Sequence, residues 1–146
     1  MEIEKAMKVI VKLNKWANAL TNLPLDILRI LLGGFLFYKG VDFIGHTEYL
    51  TEIISPVKTY GAEIAVVHYV AMTHLTGGLM IIFGLLTRLA VIVQIPILIG
   101  AVAINFIGVM DVNNVILATT VLLVASFFLI YGSGKHSADY NLQMNA

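Results

Sequence analysis

Residues 63–131 read EIAVVHYVAMTHLTGGLMIIFGLLTRLAVIVQIPILIGAVAINFIGVMDVNNVILATTVLLVASFFLIY, an apolar run broken only briefly at Thr87-Arg88 and at Asp111-Asn114. The breaks divide it into Glu63 to about Leu86, Arg88 to Met110, and Val112 to Tyr131. Each piece is near the length of about 20 residues that a helix needs to cross a bilayer. Connections this short force successive helices to run antiparallel and pack side by side.

Upstream, Pro24 stands where a helix start tolerates its missing N–H, and the apolar run from Leu25 to about Ile44 is again long enough to span. The sequence therefore predicts an all-α membrane protein, a four-transmembrane-helix antiparallel bundle with spans near 24–44, 63–86, 88–110 and 112–131. Between the first two spans, residues 45–62 form a polar, partly amphipathic loop with room for a short interfacial helix. In residues 1–22, Ile3, Met7, Ile10, Leu13, Ala17 and Leu20 recur at spacings of three and four while the lysines fall mainly outside that stripe. This is the pattern of an N-terminal amphipathic helix lying in the membrane interface, with a helix docked on a partner as the alternative. No apolar run precedes Pro24 in the manner of a cleaved signal peptide, so the mature chain is expected to begin as written. The tail, residues 132–146, is polar and expected to fray on the cytoplasmic side.

Composition agrees with a lipid solvent. Of 146 residues, 59% are hydrophobic and 12% charged, against about 45–50% and about 25% in soluble domains. A mean hydropathy of +0.90 is more apolar surface than a soluble domain of this size can hide. Nine basic and nine acidic residues cancel, so no net field recruits nucleic acid. With no cysteine, disulfides, thiolate metal sites and cysteine nucleophiles are excluded within the chain. Lys5, Lys8, Lys12, Lys15, Arg88 and Lys135 lie toward one side and Lys39 and Lys58 toward the other, which predicts both termini on the cytoplasmic side.

Ionisable and amide side chains inside a bilayer are expensive and mark where a site is sought. By helical rise, His68, Asn105, Asp42 and Lys39 fall in the outer third, Arg29 and Gln94 in the inner third, and His74 nearer the middle. The outer group holds an acid, a base, an imidazole and an amide, a set able to bind a polar head and move a proton. Each has a plainer explanation. Lys39 and Arg29 can snorkel to headgroups, Asp42 can pair with Lys39 across one turn, His68 can donate to a neighbouring carbonyl, and Asn105 can be glue between helices. His74, beside Thr73 and Thr76, needs a partner or a water-filled cavity. His68 and His74 stand about 240° apart around their helix and cannot share a metal as an i, i+4 pair does. The third and fourth spans contain no histidine to complete a haem site, so neither metal nor haem is expected.

Gly33-Gly34, Gly77-Gly78, Gly84 and Gly100 are the small residues that let membrane helices approach closely, and Pro96 is expected to kink the third span.

The stretch Arg29 to Gly33 with Phe37 and Gly40, the block His74-Leu75-Thr76-Gly77-Gly78 running into Gly84-Leu85-Leu86-Thr87-Arg88, and the closing Gly132-Ser133-Gly134-Lys135-His136-Ser137-Ala138-Asp139 resemble the DoxX family of small bacterial and archaeal membrane proteins. The resemblance implies a four-helix membrane bundle in the cytoplasmic membrane. It also implies association with quinone-linked or thiol redox systems, since the family takes its name from a subunit of a thiosulfate:quinone oxidoreductase. Arg29 and Arg88 match the family pattern, whereas His74 stands where members often carry glutamate.

The expected function is a small membrane subunit without an intrinsic cofactor that partners a redox enzyme. It would bind a quinone-like lipophilic molecule near the outer leaflet through His68, Asn105, Asp42 and Lys39, with His74 deeper. The rival is a non-catalytic structural or assembly subunit, in a complex with another membrane protein or as a homo-oligomer. A transporter fits less well, because no repeat of broken helices is visible.

Overall fold

The computed structural model describes residues 8, 12, 23–46, 48, 63–107, 111–134 and 136–140. The predicted amphipathic helix, apart from Lys8 and Lys12, and most of the loop after the first span lie outside the described residues. Among those described, the chain is all-helical, with four long helices: α1 (Leu23–Gly45), α2 (Glu63–Phe83), α3 (Thr87–Ile107) and α4 (Val112–Tyr131). Within α2, α3 and α4, the stretches Ala65–Phe83, Thr87–Phe106 and Val112–Tyr131 are long and apolar enough to cross a membrane.

Local chemistry sets the helix ends. Asp111 caps α4 by accepting from the Asn113 and Asn114 amides at 2.9 and 3.4 Å, and the Gly132 amide closes its other end on the Phe128 carbonyl at 2.8 Å. Helix α2 stops at Phe83, short of the expected Leu86. Gly84, at φ 66°, turns the chain, and its amide donates to the Ile81 carbonyl at 3.2 Å while the Leu85 amide donates to Met80 at 2.8 Å. These paired bonds are the left-handed glycine cap of a helix C-terminus. Leu85 and Leu86 continue the apolar run in sequence but belong to the turn. Helix α3 continues through Pro96.

The helices run antiparallel in order. A Cβ on Gly33 would lie 2.7 Å from the Gly78 carbonyl, and one on Gly40 would lie 2.7 Å from the Leu75 amide, so α1 rises as α2 descends. The α1–α2 contact is the most extensive in the bundle, followed by α3–α4 and α2–α3, while α1 touches α4 only sparsely. The core is a layer of Leu32, Leu36, Ile81, Val91, Leu98, Ala125 and Phe128. Large apolar side chains such as Leu31, Met72, Ile99 and Leu123 point outward instead. A soluble fold rarely shows apolar patches of that extent, and a lipid-facing bundle does.

Candidate functional site

Two polar clusters stand out from the apolar bundle, one inside it and one at its end. The inner cluster centres on His74, 5% exposed in the middle of α2, and Gln94, 0% exposed on α3. Gln94 donates from Nε2 to the Thr73 carbonyl at 3.0 Å. Its seat is made by Gly77, where a Cβ would come within 2.6 Å of that nitrogen. Gln94 also lies beside the His74 imidazole. Gln94 Oε1 and His74 Nδ1 are both buried and face each other closely enough for a weak hydrogen bond between the two side chains, with no third described group completing either. Helix α1 supplies the third wall, with the Phe43 ring 5.8 Å from the His74 ring and Lys39 Nζ 5.9 Å from the Phe43 centroid. Lys39 in turn pairs with Asp42 at 3.5 Å, and Asp42 accepts from or pairs with the exposed His46 ring at 3.1 Å. Buried polar atoms usually find full sets of partners, and an imidazole and an amide held side by side in an apolar interior are able to bond a polar ligand group as well as each other.

The second cluster gathers where α1 and α3 begin and α2 and α4 end. Arg29 is 2% exposed and reaches inward. Its Nη1 donates to the Ile81 and Ile82 carbonyls at 2.6 and 2.8 Å, and its Nη2 to the His136 carbonyl at 3.2 Å. The expectation that Arg29 snorkels to headgroups is therefore corrected: the guanidinium adds a second donor to the Ile81 carbonyl, which already accepts from the Gly84 amide, and binds that of Ile82 at the C-terminus of α2, where a cation also meets the helix dipole favourably. The expectation of a fraying tail is corrected for residues 132–134 and 136–140, while residues 135 and 141–146 lie outside the described residues. Asp26 pairs with the His136 ring at 2.7 Å, and Ser137, buried, donates to the Gly134 carbonyl at 2.7 Å. Asp139 accepts from the Leu86 and Thr87 amides at 2.8 and 3.4 Å, capping α3, while its own amide donates to Gly84 at 3.1 Å. Leu86 is held at φ 46°, a conformation that β-carbons disfavour, and the bond to Asp139 secures it. Arg88 completes the group by donating to the Ile130 carbonyl at 3.1 Å, packed against Gly132 at φ 82°.

A family model for DoxX matches residues 25–108, more than half of the chain. The chain belongs to the DoxX family. No curated protein and no solved structure matches it significantly. The DoxX match contains Arg29, the His74 block and Arg88, together with Gln94, but ends before α4 and the tail. His136, Ser137 and Asp139 thus act on the DoxX core from outside the matched region.

The residues singled out in the sequence do not all converge. Lys39, Asp42, His74 and Gln94 come together through Phe43. His68 is exposed on α2, six residues from His74, or about 9 Å along the axis. Asn105 is half-buried on α3, 11 residues beyond Gln94, or about 16 Å, and its amide donates to Ala101 of its own helix at 2.7 Å. One head group cannot contact all of them. Sequence reasoning missed Asp26, His136, Ser137 and Asp139. Asp26 stood one turn before Arg29, the spacing of an intrahelical pair, and is 3.9 Å from it. The tail residues were conspicuous only as a motif, with nothing in sequence to show that they fold back.

Proposed function

We propose that this DoxX protein crosses the cytoplasmic membrane four times with both ends inside and serves as a small subunit of a quinone-linked redox system. Its ligand is a lipophilic molecule with a quinone-like head, held at His74 and Gln94 with Lys39 and Asp42 at the approach. Helix α1 counts as a crossing because its 23 residues extend about 34 Å, above the bilayer core of about 30 Å. Its charges sit near its two ends, Asp26 and Arg29 within the bundle-end cluster and Lys39 paired with Asp42. Arg29 and Arg88 gather with the tail at one end, and the positive-inside rule puts that end in the cytoplasm.

The observation that carries the ligand reading is the buried His74 imidazole facing the buried Gln94 amide, two polar groups set together in an otherwise apolar interior with only each other at hand. A quinone carbonyl accepts from an imidazole N–H, a quinol hydroxyl donates to an amide oxygen, and Phe43 offers the flat apolar wall that a ring head needs. Imidazole also carries a proton, the task that a glutamate in this block would otherwise perform. Electrons come from a partner enzyme, because the chain has no cysteine and its described residues hold no metal-binding cluster. The test is a high-resolution structure of the protein extracted in native lipid. Density for a head group touching His74 and Gln94 is the expected result, and a dry contact in which the two side chains bond to each other overturns the reading.

A second reading, a structural or assembly subunit, is favoured by the bundle-end cluster alone. There Arg29, Asp139 and His136 are all spent on tying the chain together. It predicts that complex assembly, rather than ligand affinity, responds to substitution at His74.

A further inference from the structure

We propose that the described residues 132–134 and 136–140 form a releasable strap that closes the seam between α1 and α4. The seam needs one, since α1 packs along α2 but meets α4 only sparsely. This segment carries polar contacts from beyond α4 to the start of α1, from Asp26 to the His136 ring and from Arg29 to the His136 carbonyl, while Tyr131, at the end of α4, itself lies in the field of Asp26 and Arg29. Asp139 fixes the far end of the strap to the α2–α3 turn.

The same contacts make the strap easy to release. Gly132 and Gly134, at φ 82° and 73°, are hinges that no other residue between Tyr131 and Asp139 matches in freedom. Ser133, His136, Ser137 and Ala138 bring no large apolar side chain to bury, and half-buried Tyr140 is the one large aromatic among the segment's described residues, so hydrogen bonds supply most of what holds residues 132–134 and 136–139. The His136 side chain is 61% exposed, which leaves its bond to Asp26 open to competition from water. Behind the seam lie Leu32 and Leu36 of α1 and Ala125 and Phe128 of α4, all buried. Opening the strap gives a lipophilic molecule or a lipid chain a lateral path to that layer. The closure itself stands independently of the quinone reading.

The chain has no native cysteine, so spin labels can be placed at Leu28 and Ile130, which flank the seam on exposed positions of α1 and α4. In the full-length protein in lipid, the Leu86, Thr87 and Asp139 amides are expected to exchange with deuterium together and faster than those in the centre of α4. In full-length Asp139→Ala/His136→Ala, exchange at Leu86 and Thr87 is expected to rise roughly fivefold, as for a lost helix cap, and the label distances to gain a longer component. Exchange of these amides only as slowly as the α4 centre, or an unchanged distance distribution in the double variant, overturns the strap. Should the double variant lose helix content, Asp139→Asn measured in the same way decides between the same two outcomes.

Discussion

Arg29 carries a full charge at 2% exposure, and its hydrogen bonds go to backbone carbonyls of distant segments, with Asp26 of its own helix 3.9 Å away. Hydrogen bonds to a charged group are worth about 1.5–3 kcal/mol each, and removing the guanidinium takes its bond from the Ile82 carbonyl and leaves the Ile81 carbonyl only the Gly84 amide. Arg29→Met, which keeps the stem and loses the guanidinium, is therefore expected to destabilise the protein by at least about 2 kcal/mol. Thermal unfolding in detergent reads this as a fall in Tm of several degrees, and a Tm equal to that of the parent contradicts the inward role. The sequence marked Arg29 as unusual but not its direction, because snorkelling and inward bonding use the same side chain and differ only in what the fold places nearby. His74 was legible for the opposite reason. Mid-helix depth follows from position alone, and depth is what makes an imidazole conspicuous. Gln94 was noticed as polar, yet its pairing with the Gly77 notch depends on the α2–α3 register.

Helix pairing turns on a few glycines rather than on small residues in general. Added carbons at Gly33, Gly40 and Gly78 would meet backbone atoms of the facing helix at 2.6–2.8 Å, whereas Gly34 has nothing within 4 Å. Gly40→Ala is expected to force α1 and α2 apart, with a loss of about 1–3 kcal/mol typical of overpacking. Gly34→Ala should be neutral or stabilise by up to about 1 kcal/mol through helix propensity. Comparing their unfolding temperatures checks this, and equal losses at both positions contradict the packing. In sequence the adjacent glycines of Gly33-Gly34 look alike, since which of them faces α2 is set by a rotation of one residue. The end of α2 was hidden in a similar way. Leu85 and Leu86 extend the apolar run, and only the left-handed glycine at Gly84 ends the helix. Polar composition made the tail read as solvated, although its polar groups are the partners that helix ends require.

For the whole molecule, the all-helical class, the membrane solvent and the DoxX family were legible because each rests on length, apolar content and local motif. The candidate site was legible only in part. Lys39, Asp42, His74 and Gln94 share one neighbourhood, whereas His68 and Asn105 lie elsewhere along the bundle, a consequence of inter-helix register that no single helix encodes. The buried His74–Gln94 pair between α2 and α3 is the proposed ligand seat. The most direct measurement is an equilibrium titration of ubiquinone and menaquinone against the purified protein in lipid nanodiscs, repeated for His74→Ala, Gln94→Leu and, as a control away from the seat, Gly34→Ala. Saturable binding of one quinone, weakened at least about tenfold by either seat substitution, a change of about 1.4 kcal/mol, and untouched by Gly34→Ala is the predicted result. Absence of saturable binding, or binding indifferent to His74 and Gln94, contradicts it.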